Sequence, residues 1–279
     1  MLESQELSRY SRNILLSGVG RAGQEKLKSA RILVIGAGGL GSPVLAYLAA
    51  AGVGHLRILE HDTLELTNLQ RQILYDTADI GHSKLDAAVD RLRKLNPNIE
   101  IEPWNCRFEV GNAREALQGM DLVLETTDSI PAKFLCNDAS VLSGIPALIG
   151  GILRFHGTII GTGTHKNGAG RPCYRCLFPA APVAEAVPTC ADAGVLGAMA
   201  GMVGSAMAAE ALKIILGLGK ALQGRVLQFE MMDSSFRCID FAADPACPLC
   251  GENPTIHDLH AEEPLSEGAD FLNRLPTNL

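Results

Sequence analysis

Short apolar segments alternate with helical patterns through the first half of the chain. The segment RILVIG, residues 31–36, runs directly into a group of glycines and then into a predicted helix over Gly41–Ala51. Four more segments are typical of buried strands: His55–Glu60, Ile99–Pro103, Asp121–Glu125 and Pro146–Gly150. Helical patterns cover Ser83–Leu95 and the residues that follow TTDSIPAK up to about Leu142. This alternation predicts an α/β fold with a mostly parallel sheet and flanking helices.

The pattern changes after Gly151. The sequence FHGTIIGTGTHKNGAGRP, residues 155–172, predicts an antiparallel hairpin with a Gly/Asn turn, and the proline- and cysteine-rich stretch that follows predicts irregular structure. A long helix to about Leu216 and two strands near Arg225–Met231 and Phe236–Phe241 complete the prediction. We expect one domain over 1–251, with N-terminal helices, a core at about 30–150 and an antiparallel portion at about 151–251. The acidic segment 252–279 has few apolar residues and predicts a flexible tail.

Composition and charge exclude some classes of protein. The hydrophobic content of 47% and charged content of 20% are ordinary for a soluble enzyme. The net charge of −7 argues against a general nucleic-acid binder. The N-terminal sequence MLESQELSRYSRN lacks the pattern of a signal peptide, so we expect a cytoplasmic protein.

Two stretches are long and uncharged. Leu33–Gly54 contains six glycines and Pro43, which suits a strand, a turn and a buried helix better than a membrane span. Ala193–Ala209 is rich in Ala, Gly and Met and continues into Glu210 and Lys213. We expect it to form a helix in the core or in a subunit interface, and we predict no transmembrane helix.

Four of the eight cysteines form two C-x-x-C pairs, CYRC at Cys173 and Cys176 and CPLC at Cys247 and Cys250. One such pair is also typical of a redox dithiol, but two pairs supply the four thiolates of a tetrahedral zinc site. Four sulfur ligands leave no open position for water, so the zinc is predicted to be structural. The pairs are far apart in sequence, so the metal would join two distant segments.

The remaining cysteines divide into two groups. Cys190 lies in VPTCADAG, a predicted loop, where a thiol could serve as a nucleophile or acceptor. Cys106, Cys136 and Cys238 lie in apolar or mixed contexts that favour packing.

The glycine group has the spacing Gly36-x-Gly38-x-x-Gly41, with Gly39 as an additional glycine. This spacing after a strand is typical of a Rossmann-like dinucleotide site, although a tight strand–helix turn alone can give the same pattern. Glu60, at the end of the second strand, lies where an acidic residue would bind ribose hydroxyls. These features alone fit a dehydrogenase.

Polar residues after the second strand favour a different ligand. Asp62, Asn68, Arg71 and Gln72 follow that strand and Lys84 begins the next helix. Arg71 and Lys84 together could neutralise a triphosphate, which a dinucleotide site does not need. Asp128 follows a later strand, where it could bind a magnesium ion in the ligand crevice of an open α/β sheet. Each of these residues could singly be a solvated surface group, so the prediction depends on their joint placement.

The chain resembles the MoeB/ThiF/HesA family, bacterial relatives of ubiquitin-activating enzymes. The resemblance covers residues 5–251 in family order and depends on RYSRNILL, GAGGLGSP, LEHDTLELTNLQRQ, GHSKLDAA, TTDS, PCYRC, PTCADAGV and CPLC. It implies an ATP-dependent adenylyltransferase that acts on the C-terminal glycine of a small ubiquitin-like sulfur carrier, with Mg²⁺ and structural Zn²⁺. The glycine loop is then a site for ATP rather than NAD. The overall motif pattern favours the molybdopterin carrier over the thiamin thiazole carrier.

The resemblance also assigns site residues. It implies ATP contacts at Gly39, Glu60, Asn68, Arg71, Lys84 and Asp128, and a homodimer in which Arg12 reaches the partner subunit's site. The usual ribose-binding Asp is Glu60 here, and the usual Asn after the magnesium-binding Asp is Ser129. Neither departure removes a catalytic group.

The resemblance further implies how sulfur reaches the carrier. Cys190 matches a cysteine that some members use for a covalent link to the carrier. GENPTIHDL resembles a linker to a rhodanese domain that does not follow here, so we expect a separate persulfide donor. Two other classes of protein fit fewer of these features. An oxidoreductase explains the glycines but not Arg71, Lys84 or the cysteine pairs, and a non-catalytic zinc scaffold leaves the polar strand ends unexplained.

Overall fold

The structure is a computed structural model that describes residues 1–163, 171–182 and 193–261. Within these ranges the chain forms one sheet of eight strands: β1 (Arg31–Ile35), β2 (His55–Leu59), β3 (Glu100–Trp104), β4 (Leu122–Glu125), β5 (Ala147–Leu153), β6 (His156–Gly161), β7 (Arg225–Glu230) and β8 (Ser235–Asp240). Their order across the sheet is β3-β2-β1-β4-β5-β6-β7-β8. The predicted α/β class with a mostly parallel and then antiparallel sheet is confirmed.

Helices pack on the sheet at nearly the positions that the sequence predicts. They are α1 (Ser4–Arg9), α2 (Ser11–Ile14), α3 (Gly20–Ser29), α4 (Gly41–Ala51), α5 (Lys84–Leu95), α6 (Val110–Leu117), α7 (Ile130–Ser143), α8 (Tyr174–Leu177) and α9 (Gly197–Leu216). The predicted helices correspond to α4, α5, α7 and α9. The short helices α6 and α8 were not predicted, because two turns or fewer leave too little apolar periodicity to recognise.

The parallel half places the strand ends that matter for function. Strands β3, β2, β1, β4 and β5 run parallel, so their carboxyl ends lie at one edge of the sheet. The chain leaves β1 towards β2 on one side, whereas β4 lies on the other side of β1. This reversal opens a crevice beyond β1 and β4, which is where open α/β sheets bind ligands.

The antiparallel half corrects one prediction. The strand β6 was expected to pair within residues 155–172, but its antiparallel partners are β5 and β7. The β5–β6 turn contains Arg154 with a φ of 55°. The predicted Gly/Asn turn around Asn167 lies outside the described residues. The prediction missed β7 because this partner lies more than sixty residues further along the chain. It missed the β5–β6 hairpin because the two turn residues, Arg154 and Phe155, lack the Gly or Asn that marks a tight turn.

The helix α9 crosses the sheet within the main core. Met199, Val203 and Met207 are buried there with side chains of β1, β5 and β6. Gly204 allows close contact with α4, since a Cβ at this position would lie 2.4 Å from Cγ of Pro43. Among the described residues α9 is also the one helix long and apolar enough to cross a membrane. Its packing in the core accounts for the apolar side chains on its buried face.

The segment after Gly251 departs from the expected loose tail over its described part. The amides of Thr255 and Ile256 both donate to the carbonyl of Pro248. Leu259 is partly buried against a second apolar cluster, which contains Leu117, Val123 and Leu135. Residues 252–261 therefore lie against the body of the domain. Residues 262–279 fall outside the described ranges.

Candidate active site

A cavity of about 1150 Å³ lies at the carboxyl ends of the parallel strands. Eight residues that the sequence assigned to nucleotide binding line this one cavity: Gly36, Gly38, Gly39, Glu60, Asn68, Arg71, Lys84 and Asp128. Gly41 does not line it but begins α4 behind the glycine turn. The structure therefore brings together, in one cavity, residues that are spread over more than ninety positions of the sequence.

The glycine turn is shaped by contact with the loop after β4. Gly36 has a φ of 91°, and a Cβ at this position would lie 2.9 Å from Cγ2 of Thr127. A Cβ on Gly41 would lie 2.3 Å from the carbonyl oxygen of Gly36. Only glycine therefore suits these two positions, because a side chain would be strained or would collide with backbone. The hydroxyl of Thr126 donates to the carbonyls of Ile35 and Gly36, which holds the turn against β4.

Glu60 is held by backbone amides at the end of β2. Its Oε2 accepts from the amide of Ala37 at 2.9 Å, and its Oε1 accepts from the amides of His61 and Asp62 at 2.8 and 2.9 Å. These contacts fix a carboxylate between the glycine turn and the next loop. The two oxygens together have four lone pairs and the three amides use three, so Oε2 can still accept one hydrogen bond from a sugar hydroxyl.

Two cationic side chains face the cavity from either side of Asp62. Lys84 is the first residue of α5 and is buried, with its Nζ 3.1 Å from Oδ2 of Asp62. The Arg71 side chain lies beside Gly39 and donates from Nη1 to the carbonyl of Thr67 at 3.0 Å. The buried Asn68 accepts from the amide of Glu65, which orders the loop that carries Arg71. This side of the cavity is suited to an anionic ligand.

Asp128 lies on the opposite wall, in the loop between β4 and α7. Its carboxylate is exposed to the cavity. The neighbouring Ser129 is the N-cap of α7 and accepts from the amide of Ala132 at 3.3 Å. Serine therefore fills a structural position after Asp128, where the family pattern led us to expect Asn.

The four cysteines of the two C-x-x-C pairs converge on one point. Their sulfur atoms are separated by 3.6 Å (Cys173 to Cys247), 3.4 Å (Cys176 to Cys250), 3.4 Å (Cys173 to Cys250) and 4.0 Å (Cys173 to Cys176). Four thiolates around one zinc ion at 2.3 Å would be about 3.8 Å apart, so the cluster is compatible with tetrahedral zinc. No other group of four possible ligands occurs among the described residues.

A buried ion pair fixes the first cysteine pair to α7. Arg175 lies between the two cysteines of CYRC and donates from Nε and Nη2 to both carboxylate oxygens of Asp138, each at 2.7 Å. The amide of Tyr174 donates to Oδ1 of Asn137 at 2.7 Å. The same helix begins beside Asp128, so α7 connects the cluster to the wall of the cavity.

Comparison with known proteins gives the family. The model of the ThiF family matches residues 10–249. The chain belongs to the ThiF family. The resemblance seen in the sequence motifs is therefore confirmed.

Three relatives show which proteins this ThiF-family chain is similar to. It is 47% identical over 256 residues to the sulfur carrier protein adenylyltransferase of Thermus thermophilus, covering 91% of this chain and 94% of the relative. It is 42% identical over 254 residues to the SAMP-activating enzyme E1 of Haloferax volcanii, covering 90% and 91%. It is 45% identical over 259 residues to the adenylyltransferase and sulfurtransferase MOCS3 of Culex quinquefasciatus, covering 92% of this chain and 58% of that protein.

Solved structures show the same fold at low sequence identity. The crystal structure of E. coli MccB has a TM-score of 0.76 at 21% identity and covers 90% of this chain and 75% of that one. At this identity the likeness concerns the fold alone.

The structure does not place two residues that the resemblance assigned to this ThiF-family site in the cavity, for different reasons. Arg12 is exposed on α2 and is not among the lining residues. Cys190 lies outside the described residues. A role for Arg12 in a partner subunit's site, and a covalent role for Cys190, remain predictions.

Lys133 and Glu125 contribute to the ThiF-family site but were missed in the sequence. Nζ of Lys133 donates to the carboxylate of Glu125 and to the carbonyls of Thr127 and Gly150, at 2.6, 2.7 and 2.6 Å. Glu125 is fully buried. The pair joins β4, β5 and α7 directly behind Asp128. Its only sequence signal was a glutamate in an otherwise apolar strand.

Replacing Lys133 by methionine is expected to lower the free energy of unfolding at pH 8 by about 3 kcal/mol, because Glu125 would remain buried without its cation. Burial already raises the pKa of Glu125, and loss of the ammonium group would raise it further. A carboxyl whose pKa is raised by folding binds protons more tightly in the folded state. The loss of stability should therefore decrease as the pH falls from 8 towards 5. Urea unfolding at the two pH values measures this.

The double variant Glu125→Gln/Lys133→Met is the matched control for that change. It has no buried charge at this position, so it should be more stable than Lys133→Met at pH 8 and should lack the added pH dependence. A Lys133→Met variant that loses the same free energy at pH 8 and pH 5 would contradict the assignment.

Proposed function

We propose that this chain adenylylates the C-terminal carboxylate of a small ubiquitin-like sulfur carrier with ATP. The observation that carries the proposal is the convergence of Lys84, Arg71 and Asp128 around the glycine turn in one cavity. A site for a dinucleotide does not need this combination of cationic side chains. The prediction of an adenylyltransferase is confirmed by the family and by relatives that carry that name.

The proposed reaction is attack of the carrier carboxylate on the α-phosphate of ATP, with release of pyrophosphate. The α-phosphate gains the bond to the carboxylate oxygen and loses the bond to the β-phosphate oxygen. The nucleophile is already ionised at neutral pH, so no general base is required. The principal barrier is repulsion between two anions, and positioned cations lower it.

Each residue of the cavity would have a role that follows from its position. Glu60 would hold the ribose, and the backbone of Gly38 and Gly39, which lines the cavity before α4, would face the phosphates. Lys84 and Arg71 would neutralise the phosphates and stabilise the charge that develops on the leaving pyrophosphate. Asp128 is an exposed carboxylate of the type that Mg²⁺ prefers, and a bound Mg²⁺ would neutralise phosphate charge there. The cysteine cluster would hold structural zinc, without a part in the chemistry.

Three further proposals concern the type of carrier, the arrangement of the subunits and the source of the sulfur. We propose a carrier of the molybdopterin-synthase type that ends in Gly-Gly, with the thiamin thiazole carrier as the alternative. The sequence similarity of PCYRC, PTCADAGV and LTNLQRQ to the former type supports this choice. We also propose a homodimer in which Arg12 of one subunit serves the site of its partner, and a separate persulfide protein as the sulfur donor. Full sulfur transfer by Cys190→Ser would exclude a covalent role for that thiol.

Exchange of labelled pyrophosphate into ATP tests the proposed function, with the molybdopterin and thiamin carriers of the same organism side by side. Exchange with one carrier alone would establish adenylylation and identify the carrier, and exchange with both would indicate a shared activator. No exchange with either, using folded and zinc-loaded protein, would contradict the proposal. Bound flavin absorbance or an NADH fluorescence change would favour the oxidoreductase instead.

Arg71→Ala and Asp128→Ala are each expected to lower carrier-dependent exchange at least tenfold, about 1.4 kcal/mol of barrier. Each variant removes a charged group from one wall of the cavity without emptying the core. Arg91→Ala and Asp90→Ala remove the same charges from exposed positions on α5 that do not line the cavity, and should leave exchange unchanged. Unchanged exchange in Arg71→Ala or Asp128→Ala would remove that residue from the mechanism.

A further inference from the structure

The chain returns to the nucleotide cavity after the cysteine cluster. Residues 255–261, which we call the C-terminal strap, lead from Cys250 towards the mouth of the cavity. His260 and Ala261 line the cavity wall at its end. The motifs of the active site all precede Gly251, and in the sequence residues 251–259 showed only a resemblance to a linker.

Three contacts hold the strap in place. At its start, the amides of Thr255 and Ile256 donate to the carbonyl of Pro248 at 2.8 and 2.9 Å, and Ile256 packs against the cysteine cluster. In its middle, Asp258 forms an ion pair with Arg114 of α6. Next to it, Leu259 is partly buried against the second apolar cluster. The exposed ion pair contributes little alone, so Leu259 and the backbone bonds are the main anchors.

The anchored strap presents an imidazole to the cavity. Nδ1 of His260 lies 3.3 Å from the carbonyl oxygen of Asp258, so an Nδ1–H donor would orient the ring. The neighbouring cavity wall is formed by the loop after β3 and the start of α6, with Cys106, Phe108 and Val110. Arg107 and Glu109 of the same segment also line this wall, so it combines apolar and charged side chains.

The order of the strands shows which part of a nucleotide would reach this wall. The glycine turn follows β1, and Glu60 ends β2, so phosphates and ribose would occupy those strand ends in turn. The sheet continues from β2 to β3, and the loop after β3 contains Cys106 and Phe108. The base of the nucleotide, which is farthest from the phosphates, would therefore extend to the wall that His260 completes.

We propose that the strap closes the base end of the nucleotide site and that the His260 imidazole packs against the purine ring. This inference rests on the proposed function, because it assumes that ATP occupies the cavity. Stacking of an aromatic side chain on a base contributes about 1–3 kcal/mol, so loss of the ring corresponds to about fivefold weaker binding or more. His260 thereby determines affinity for the base, whereas Lys84 and Arg71 bind the phosphates.

The test compares two histidines of the strap in the full-length chain. His260→Ala should raise the Kd and the KM for ATP about fivefold or more. His257→Ala removes an exposed imidazole that does not line the cavity, and should bind ATP like the unmodified chain. His260→Phe keeps an aromatic ring and should recover most of the affinity. Isothermal titration gives the Kd, and pyrophosphate exchange gives the KM.

Inorganic tripolyphosphate separates a contact with the base from general damage to the site. It has the phosphate charge of ATP but no base, so its inhibition constant should be the same for His260→Ala and the unmodified chain. Leu259→Ser should weaken ATP binding in the same way by releasing the strap.

The outcomes distinguish this inference from the proposed function. If the unmodified chain binds ATP and His260→Ala binds it equally well, or if His260→Ala weakens tripolyphosphate as much as ATP, the strap does not contact the base. If the unmodified chain binds no ATP and catalyses no exchange, the proposed function is wrong and this inference fails with it.

Discussion

Lys84→Ala is expected to lower the rate of carrier-dependent pyrophosphate exchange about 100-fold, which corresponds to about 2.7 kcal/mol of barrier. Lys84 is buried at the start of α5, and a charge in this environment interacts with phosphate more strongly than a solvated charge does. The substitution would also leave the carboxylate of Asp62 facing the triphosphate without its partner. The loss should therefore exceed the loss in Arg71→Ala, since Arg71 is only partly buried.

Two variants distinguish the charge of Lys84 from its structural contacts. Lys94→Ala removes a lysine from the other end of the same helix, where it pairs with Asp90 in solvent, and exchange should not change. Asp62→Asn breaks the ion pair but keeps the cation, so it should lose much less activity than Lys84→Ala. If Asp62→Asn and Lys84→Ala are equally impaired, the ion pair rather than the cation supports the reaction.

Cys247→Ser is expected to reduce bound zinc to less than about a tenth of an ion per chain and to lower the melting temperature by about 10 °C or more. Cys247 is buried and lies 3.6 Å from Cys173 in the cluster. Structural zinc contributes directly to folding free energy, and here it would join segments more than seventy residues apart. Metal analysis and thermal unfolding measure the two effects, and a strong chelator should reproduce the second in the unmodified chain.

Cys238→Ser is the matched control, because Cys238 is an exposed cysteine on β8 outside the cluster. It should retain zinc and melt with the unmodified chain. Loss of zinc without a change in melting temperature in Cys247→Ser would mean that the metal does not stabilise the domain. A melting temperature that falls equally in both variants would point to a general effect of losing a thiol.

The sequence predicted those features whose residues lie close together along the chain. Strand and helix positions in the parallel half were predicted within one to three residues at most ends, as for β1, α4 and α5. The glycine spacing, Glu60 and Asp128 were recognised because they directly follow predicted strands, and Arg71 because it belongs to the family motif LTNLQRQ. The two C-x-x-C pairs predicted a shared site that the structure confirms as one cluster.

Contacts between distant segments gave no such signal. The pairing of β6 with β7, the contact of Lys133 with Gly150 and the return of residues 255–261 to the cavity depend on register and packing across the domain. The sequence by itself determined the chemistry of the site, since that chemistry depends on residue types at fixed spacing. Only the tertiary structure decided which segments line the cavity and which contacts support them. Hydrophobic burial is not directional, so it does not specify which distant surfaces meet.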